Sequence, residues 1–284
     1  MPGQADGPPR WRDLRSRVVS AVILAPIVLA CVWAGGLAFH LLIVAAATGL
    51  ALEWIRLCGF VIFSPEGVFQ RAPHGLILLA GMVTATAAAV SDAMAVSLGI
   101  LCLTAILIAA LPGALARRVK LALGQPYIGF GIAALVWLRD DPAVGGINIV
   151  FILAIVWGSD IGAYMTGRVF GGPRLAPAIS PGKTWSGAAG GLVTAVLAGL
   201  AAAYWSGMPV SVPRVAVVAG GLGIFSQGGD LLESGIKRHF GVKDSSQLIP
   251  GHGGLLDRLD ALLIVAQVAA VLALVVGRGV VLWR

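Results

Sequence analysis

The chain has 284 residues, 58% of them hydrophobic and 12% charged, and its mean hydropathy is +0.93. A water-facing globular surface cannot be built from that balance, so lipid is the solvent for most of the chain. The formal charge of +7 does not point to nucleic acid, because no basic run interleaves with aromatics in an aqueous stretch; membrane orientation accounts for it.

In lipid, backbone N–H and C=O groups must be satisfied within the spanning element, and the apolar runs are far longer than a barrel strand needs. The expected fold is therefore all-α, a polytopic integral-membrane helical bundle of about nine transmembrane helices. Residues 1–17 form a basic segment with Arg10, Arg12, Arg15 and Arg17. Apolar runs follow at 18–36, 38–57, 75–91, 93–112 and 122–138, which make up an N-terminal transmembrane region, 18–140. Further runs at 147–166, 186–206, 212–231 and 261–282 belong to a C-terminal region, 141–284, with two long loops at 167–185 and 232–260. A basic start before an apolar run is also the pattern of a signal peptide, and Val28-Leu29-Ala30-Cys31 resembles a lipoprotein cleavage site. Eight further runs make an uncleaved first helix the simpler reading. Cys31, Cys58 and Cys102 show no C-x-x-C spacing and suggest neither disulfides nor zinc.

Lys and Arg are retained on the cytoplasmic side of a membrane. With the N-terminus inside, that side holds Arg10, Arg12, Arg15, Arg17, Arg56, Arg71, Arg117, Arg118, Lys120, Arg168, Arg174, Lys183, Lys237, Arg238, Lys243 and Arg258, sixteen of the 20 basic residues. Only Arg139, Arg214, Arg278 and Arg284 fall outside. The loops 167–185 and 232–260 are then cytoplasmic and the C-terminus is external.

Ionisable groups at or within spans are costly unless paired, metal-bound or wet, so each is a functional candidate. Asp160 lies in the sixth run, Asp230 closes the eighth, and Asp257 and Asp260 open the ninth. The i, i+3 spacing puts Asp257 and Asp260 on one helix face, where they repel unless a hard cation sits between them. The same pair also suits a helix N-terminus through the macrodipole alone. Lys237, Arg238 and Lys243 can neutralise phosphates, and Gly251, Gly253 and Gly254 let backbone N–H groups approach them. Membrane anchoring and a tight turn are the plainer readings of those two groups. Gly182-Lys183-Thr184 is not a P-loop, because Pro177 stands where that motif needs glycine.

From Ser234 to Asp260 the chain is similar to the signature of the phosphatidate cytidylyltransferase (CDP-diacylglycerol synthase) family, S-x-x-K-R-x4-K-D-x-[GSA]-x2-[LIF]-[PG]-x-H-G-G-x-x-D-R-x-D. The fixed positions are met by Ser234, Lys237, Arg238, Lys243, Asp244, Ser246, Ile249, Pro250, His252, Gly253, Gly254, Asp257, Arg258 and Asp260. Trp157 through Tyr164, and Ser180-Pro181-Gly182-Lys183-Thr184-Trp185, also resemble the family, while 1–140 does so only in hydropathy and small features such as Glu53-Trp54.

The resemblance implies transfer of CMP from CTP to phosphatidate, yielding CDP-diacylglycerol and pyrophosphate. It implies catalytic roles for Lys237, Arg238, Lys243, Asp244, His252 and Arg258, and substrate contacts from Ser234, Lys183, Thr184, Gly253 and Gly254. Mg²⁺ is expected on Asp230, Asp257 and Asp260, with Asp160 a further ligand and K⁺ as a second cation. A phosphate nucleophile already carries a negative oxygen near neutral pH, so His252 is read as a hydrogen-bonding residue, with proton transfer as the alternative. A homodimer in a bacterial inner membrane is implied as well. A CTP-dependent polyprenol or phytol kinase is the rival enzyme. A secondary transporter is the rival from another class, disfavoured because the charges gather at helix ends and loops rather than at the midplane.

Overall fold

Nine apolar runs that must satisfy their own backbones become nine helical segments among the described residues. The computed structural model describes residues 10–60, 73–246 and 253–284, with side chains from Val22 onward. Helices α1 (Arg10–Ala34), α2 (Gly36–Leu57), α3 (Pro73–Val90) and α4 (Met94–Ala110) cross back and forth. The fifth crossing, Leu115–Arg139, is composite: α5 (Leu115–Ala122), a π-helical turn over Gln125–Gly129, and α6 (Phe130–Arg139). Pro126 supplies no N–H to the regular ladder, which accounts for the wider turn there. Helices α7 (Gly145–Phe170), α8 (Trp185–Trp205), α9 (Val212–His239) and α10 (Leu256–Val276) complete the bundle. Seven crossings are long and apolar enough to span a membrane, and Val22–Ala34 and Met94–Ala110 are shorter apolar helices. The chain is thus a polytopic helical membrane protein.

The loops sort to two ends. At one end Arg139 donates to the carbonyl oxygens of Val32 and Trp33, and Trp283 Nε1 to that of Pro209. At the other, Glu53 meets Ser245 and Leu255, and the Lys120 ammonium lies over the Phe240 ring. Small residues let α7 and α8 approach closely: a Cβ on Gly162 would strike Thr194, and one on Gly190 would strike Thr166.

Three expected boundaries move. The loop expected at 232–260 begins as helix, because α9 continues to His239. Its last turn carries Lys237, Arg238 and His239, where the helix dipole favours cations. Gly241, at φ 72°, ends it: the Gly241 N–H returns to the Arg238 carbonyl and the Val242 N–H to that of Lys237. The loop expected at 167–185 contains the end of α7 and an antiparallel hairpin, β1 (Arg174–Ala176) and β2 (Ser180–Thr184), paired Arg174 to Thr184 and Ala176 to Ser180. The ninth run, expected to 282, stops as helix at Val276, and Gly277, at φ 106°, turns the tail back. There the Leu282 N–H donates to Asn148 Oδ1 and the Gly279 N–H to Asp141 Oδ2, while Trp283 packs on Phe151 with ring centroids 4.5 Å apart.

Candidate active site

Lys237, Arg238, Gly254 and Asp257 of the signature lie where the end of α9, the start of α10, the hairpin and the end of α2 converge. Helical spacing alone sets Glu233 and Lys237 side by side, and the Lys237 ammonium lies 2.7 Å from Glu233 Oε2. It also reaches across to Asp257 Oδ1 on α10, at 2.8 Å. Glu233 is 1% exposed, so these charges offset one another out of water. Asp257 is further engaged: its Oδ2 accepts the Gly254 N–H at 2.8 Å, the Ser245 N–H at 3.1 Å and the Ser245 hydroxyl at 3.1 Å. Two glycines of the signature have steric reasons. Gly253 adopts φ 80°, and a Cβ there would lie 2.9 Å from Asp257 Oδ2, while a Cβ on Gly254 would collide with Ser245 Oγ and both Glu53 carboxylate oxygens.

Glu53, contributed by α2, binds this corner to the N-terminal half of the bundle. It is 2% exposed. Its carboxylate accepts the backbone N–H groups of Leu255 and Leu256, each at 2.7 Å, and the hydroxyls of Ser245 and Ser246. Those amides are among the unpaired donors at the start of α10, where a negative charge is favoured. Glu53 thus serves as an N-cap supplied from a distant span.

A second group of charges lies one turn along α10. Asp260, 8% exposed, is within electrostatic reach of Asp230 on α9, of Asp160 on α7 and of Lys237. Asp230 pairs with Lys183 of β2, Nζ to Oδ2 2.6 Å, and Asp160 also feels Lys183 and Arg258. Asp160, Lys183 and Asp230 line a cavity of about 590 Å³ together with Arg168, Arg174 and Gln227. Thr184 borders the cavity and also caps α8, its Oγ1 accepting the Gly187 N–H at 3.1 Å. Arg238 Nε donates to the Ile179 carbonyl at the hairpin tip, at 3.2 Å. Ser234 is half-buried on α9, and Lys243 and Asp244 are exposed in the loop beyond it. Ile249, Pro250, Gly251 and His252 lie outside the described residues.

Among the described residues no three His, Cys, Asp or Glu side chains draw together as a complete metal site. Asp160, Asp230 and Asp260 are within electrostatic reach of one another, offer only oxygen donors, and have Lys183 paired to Asp230 beside them. That chemistry fits Mg²⁺, which keeps several waters and takes one or two carboxylates alongside substrate phosphates. Asp257 differs, because its oxygens are taken by Lys237, Ser245 and Gly254. The residues that the signature does not name are Glu53, Glu233 and Ser245. An acid inside the second apolar run, and an acid one turn before a motif lysine, are the signals that point to Glu53 and Glu233.

The cytidylyltransferase family profile matches residues 15–276. A phosphatidate cytidylyltransferase of Brucella suis is 39% identical over 272 residues, covering 89% of this chain and 91% of the relative. Proteins of the same name from Pseudomonas aeruginosa and Bacillus subtilis are 34% and 31% identical, over 94% and 89% of this chain and 99% and 95% of their own lengths. A match from the first helix to the last, together with relatives at 31–39% identity over most of their length, places the chain in the cytidylyltransferase family.

Proposed function

We propose that the chain transfers CMP from CTP to phosphatidate, releasing pyrophosphate and forming CDP-diacylglycerol. The observation that carries this reading is that Lys237 and Asp257 of the signature are joined at 2.8 Å while Asp260 lies within electrostatic reach of Asp230 and Asp160, which line one polar cavity with Lys183. The names of the relatives agree with it. In the reaction a phosphate oxygen of phosphatidate attacks the α-phosphorus of CTP, a new P–O bond forms, and the bond from the α-phosphorus to the bridging oxygen breaks. The electron pair leaves with pyrophosphate. Both reactants are anions, so the barrier is largely electrostatic and positional, and fixed cations lower it.

Arg238 and Lys243, exposed at the end of α9 and in the loop after it, are placed to hold phosphates arriving from water. Lys237 fixes α9 to α10, and Asp257 fixes the Ser245 loop, so both act by position. Asp160, Asp230 and Asp260 would hold Mg²⁺, which would supply neutralising charge at the triphosphate. K⁺ as a second cation suits the same oxygen donors. No general base is required of His252. The site end faces the cytoplasm of the bacterial inner membrane, consistent with the sixteen-to-four division of basic residues.

Turnover of labelled CTP by the purified protein in detergent, with phosphatidate or a polyprenol as acceptor, tests the reading. Labelled CDP-diacylglycerol with release of pyrophosphate is expected. A phosphorylated alcohol with release of CDP would overturn it.

A further inference from the structure

The cavity beside Asp160 and Asp230 is asymmetric in a way that the reaction alone does not require. Two arginines stand on it, Arg168 near the end of α7 and Arg174 on β1. Among the described residues neither has a carboxylate within ion-pair distance. Arg168 Nη1 donates to the Tyr164 hydroxyl at 2.8 Å, and Arg174 Nη1 makes only a 3.5 Å contact with the Gly182 carbonyl. Their positive charge is therefore left for a ligand.

The wall that carries Arg168 opens to lipid. Ile161 and Met165, two turns and one turn back along α7 on the same face, are 61% and 59% exposed, and Val169 and Phe170 beyond are also exposed. From Arg168 to Ile161 the helix rises by about 10 Å, so an apolar track runs from the arginines towards the bilayer interior. A nucleotide gains nothing from such a track. An acyl chain does, and its phosphate would then lie at the membrane surface, where the arginines are. Arg238 of α9 does not line this cavity and is bonded instead to the hairpin tip at Ile179.

We infer that Arg168 and Arg174, with Tyr164, form the subsite for the phosphate of the lipid substrate, which slides in sideways along Ile161 and Met165, leaving Arg238 and Lys243 to the nucleotide. This rests on the proposed reaction for its second substrate and assigns each phosphate to its own cations. Lys183, paired with Asp230, lines the same cavity as the two arginines.

The test uses the full-length protein in mixed micelles, with phosphatidate mole fraction and CTP concentration varied independently. Arg168→Gln and Arg174→Gln should each raise the phosphatidate KM about tenfold, the scale of one charge-assisted contact, and leave the CTP KM within about twofold. Arg168→Lys and Arg174→Lys, which keep the charge and lose the planar fork, should recover part of the loss and guard against misfolding as the cause. Arg214→Gln, a charge removed from the opposite end, should change neither constant. A rise in the CTP KM instead, or no change in either, overturns the assignment. Retention of phosphatidate against diacylglycerol, measured by native mass spectrometry, separates this inference from the proposed reaction. Arginine-dependent retention in a protein that makes no CDP-diacylglycerol would keep the subsite and remove the reaction, whereas retention unaffected by the double glutamine variant would remove the subsite.

Discussion

Glu53→Gln is the substitution that most directly tests how the N-terminal spans contribute. The Glu53 carboxylate is buried and accepts two backbone amides of α10 at 2.7 Å, together with the Ser245 and Ser246 hydroxyls. Glutamine keeps the volume and one acceptor, but it places an NH₂ against an amide that needs an oxygen. One buried N–H is left unsatisfied, at about 1–3 kcal/mol. The helix N-terminus also loses a facing negative charge, at about 0.3–2 kcal/mol. A combined cost of about 3 kcal/mol falls on the first turn of α10, the turn that carries both Asp257 and Asp260. Because 1.36 kcal/mol is a factor of ten, we expect kcat to fall by about 10- to 100-fold, with a smaller change in the CTP KM and a lowered Tm. Glu53→Asp retains the charge at shorter reach and should fall between the two. CTP turnover and thermal unfolding, measured on matched monodisperse samples in detergent, are the assays. Parental kcat together with parental Tm in Glu53→Gln would refute the capping role.

Four further outcomes are expected. Lys237→Ala leaves Glu233 and Asp257 without their shared cation and should cost about 3–5 kcal/mol, while Lys237→Ala combined with Asp257→Asn should cost much less than the two singles added, as a double-mutant cycle on Tm or turnover would reveal. Asn at Asp160, Asp230 or Asp260 should abolish or displace the Mg²⁺ dependence of turnover while leaving the protein folded, whereas Asp257→Asn should lower Tm as well; parental Mg²⁺ titrations in all three would exclude that carboxylate group as the metal site. At the opposite end, burial by itself pushes the Asp141 carboxyl up, but the amides of Gly279, Val144 and Ala143 and the Arg278 charge outweigh it and hold the carboxyl below its ordinary value. A lowered folded pKa contributes stability that is fully present above the unfolded value of about 3.9 and is lost as pH falls through the folded one, so Asp141→Asn should lower Tm at pH 7 and show a flatter acid limb than the parent. Single cysteines at Lys243 and Arg284, in a background without Cys31, Cys58 and Cys102, should label from opposite sides of a sealed vesicle; labelling of both from one side would break the nine-crossing topology.

Much of this protein is legible in one dimension because lipid imposes a one-dimensional rule. A run of about twenty apolar residues must become a helix wherever it sits, so the nine runs, their order and the two-ended sorting of Arg139 and Arg278 away from Lys183 and Lys237 follow from composition along the chain. The signature from Ser234 to Asp260 is equally local, being read by spacing. Tertiary structure decided what those residues touch. Spacing offers Asp257 and Asp260 as partners, yet packing of α9 on α10 gives Asp257 to Lys237 and turns Asp260 towards Asp230 and Asp160. Glu53 lies some two hundred positions from Leu256, and nothing in either neighbourhood specifies that they meet. The ninth run reads as apolar to 282, but a tail that packs Trp283 on Phe151 is apolar for the same reason as a span, and only the hydrogen bonds from Gly279 to Asp141 and Leu282 to Asn148 distinguish them. Hydropathy records that a segment avoids water; which neighbours replace the water is settled by packing in three dimensions.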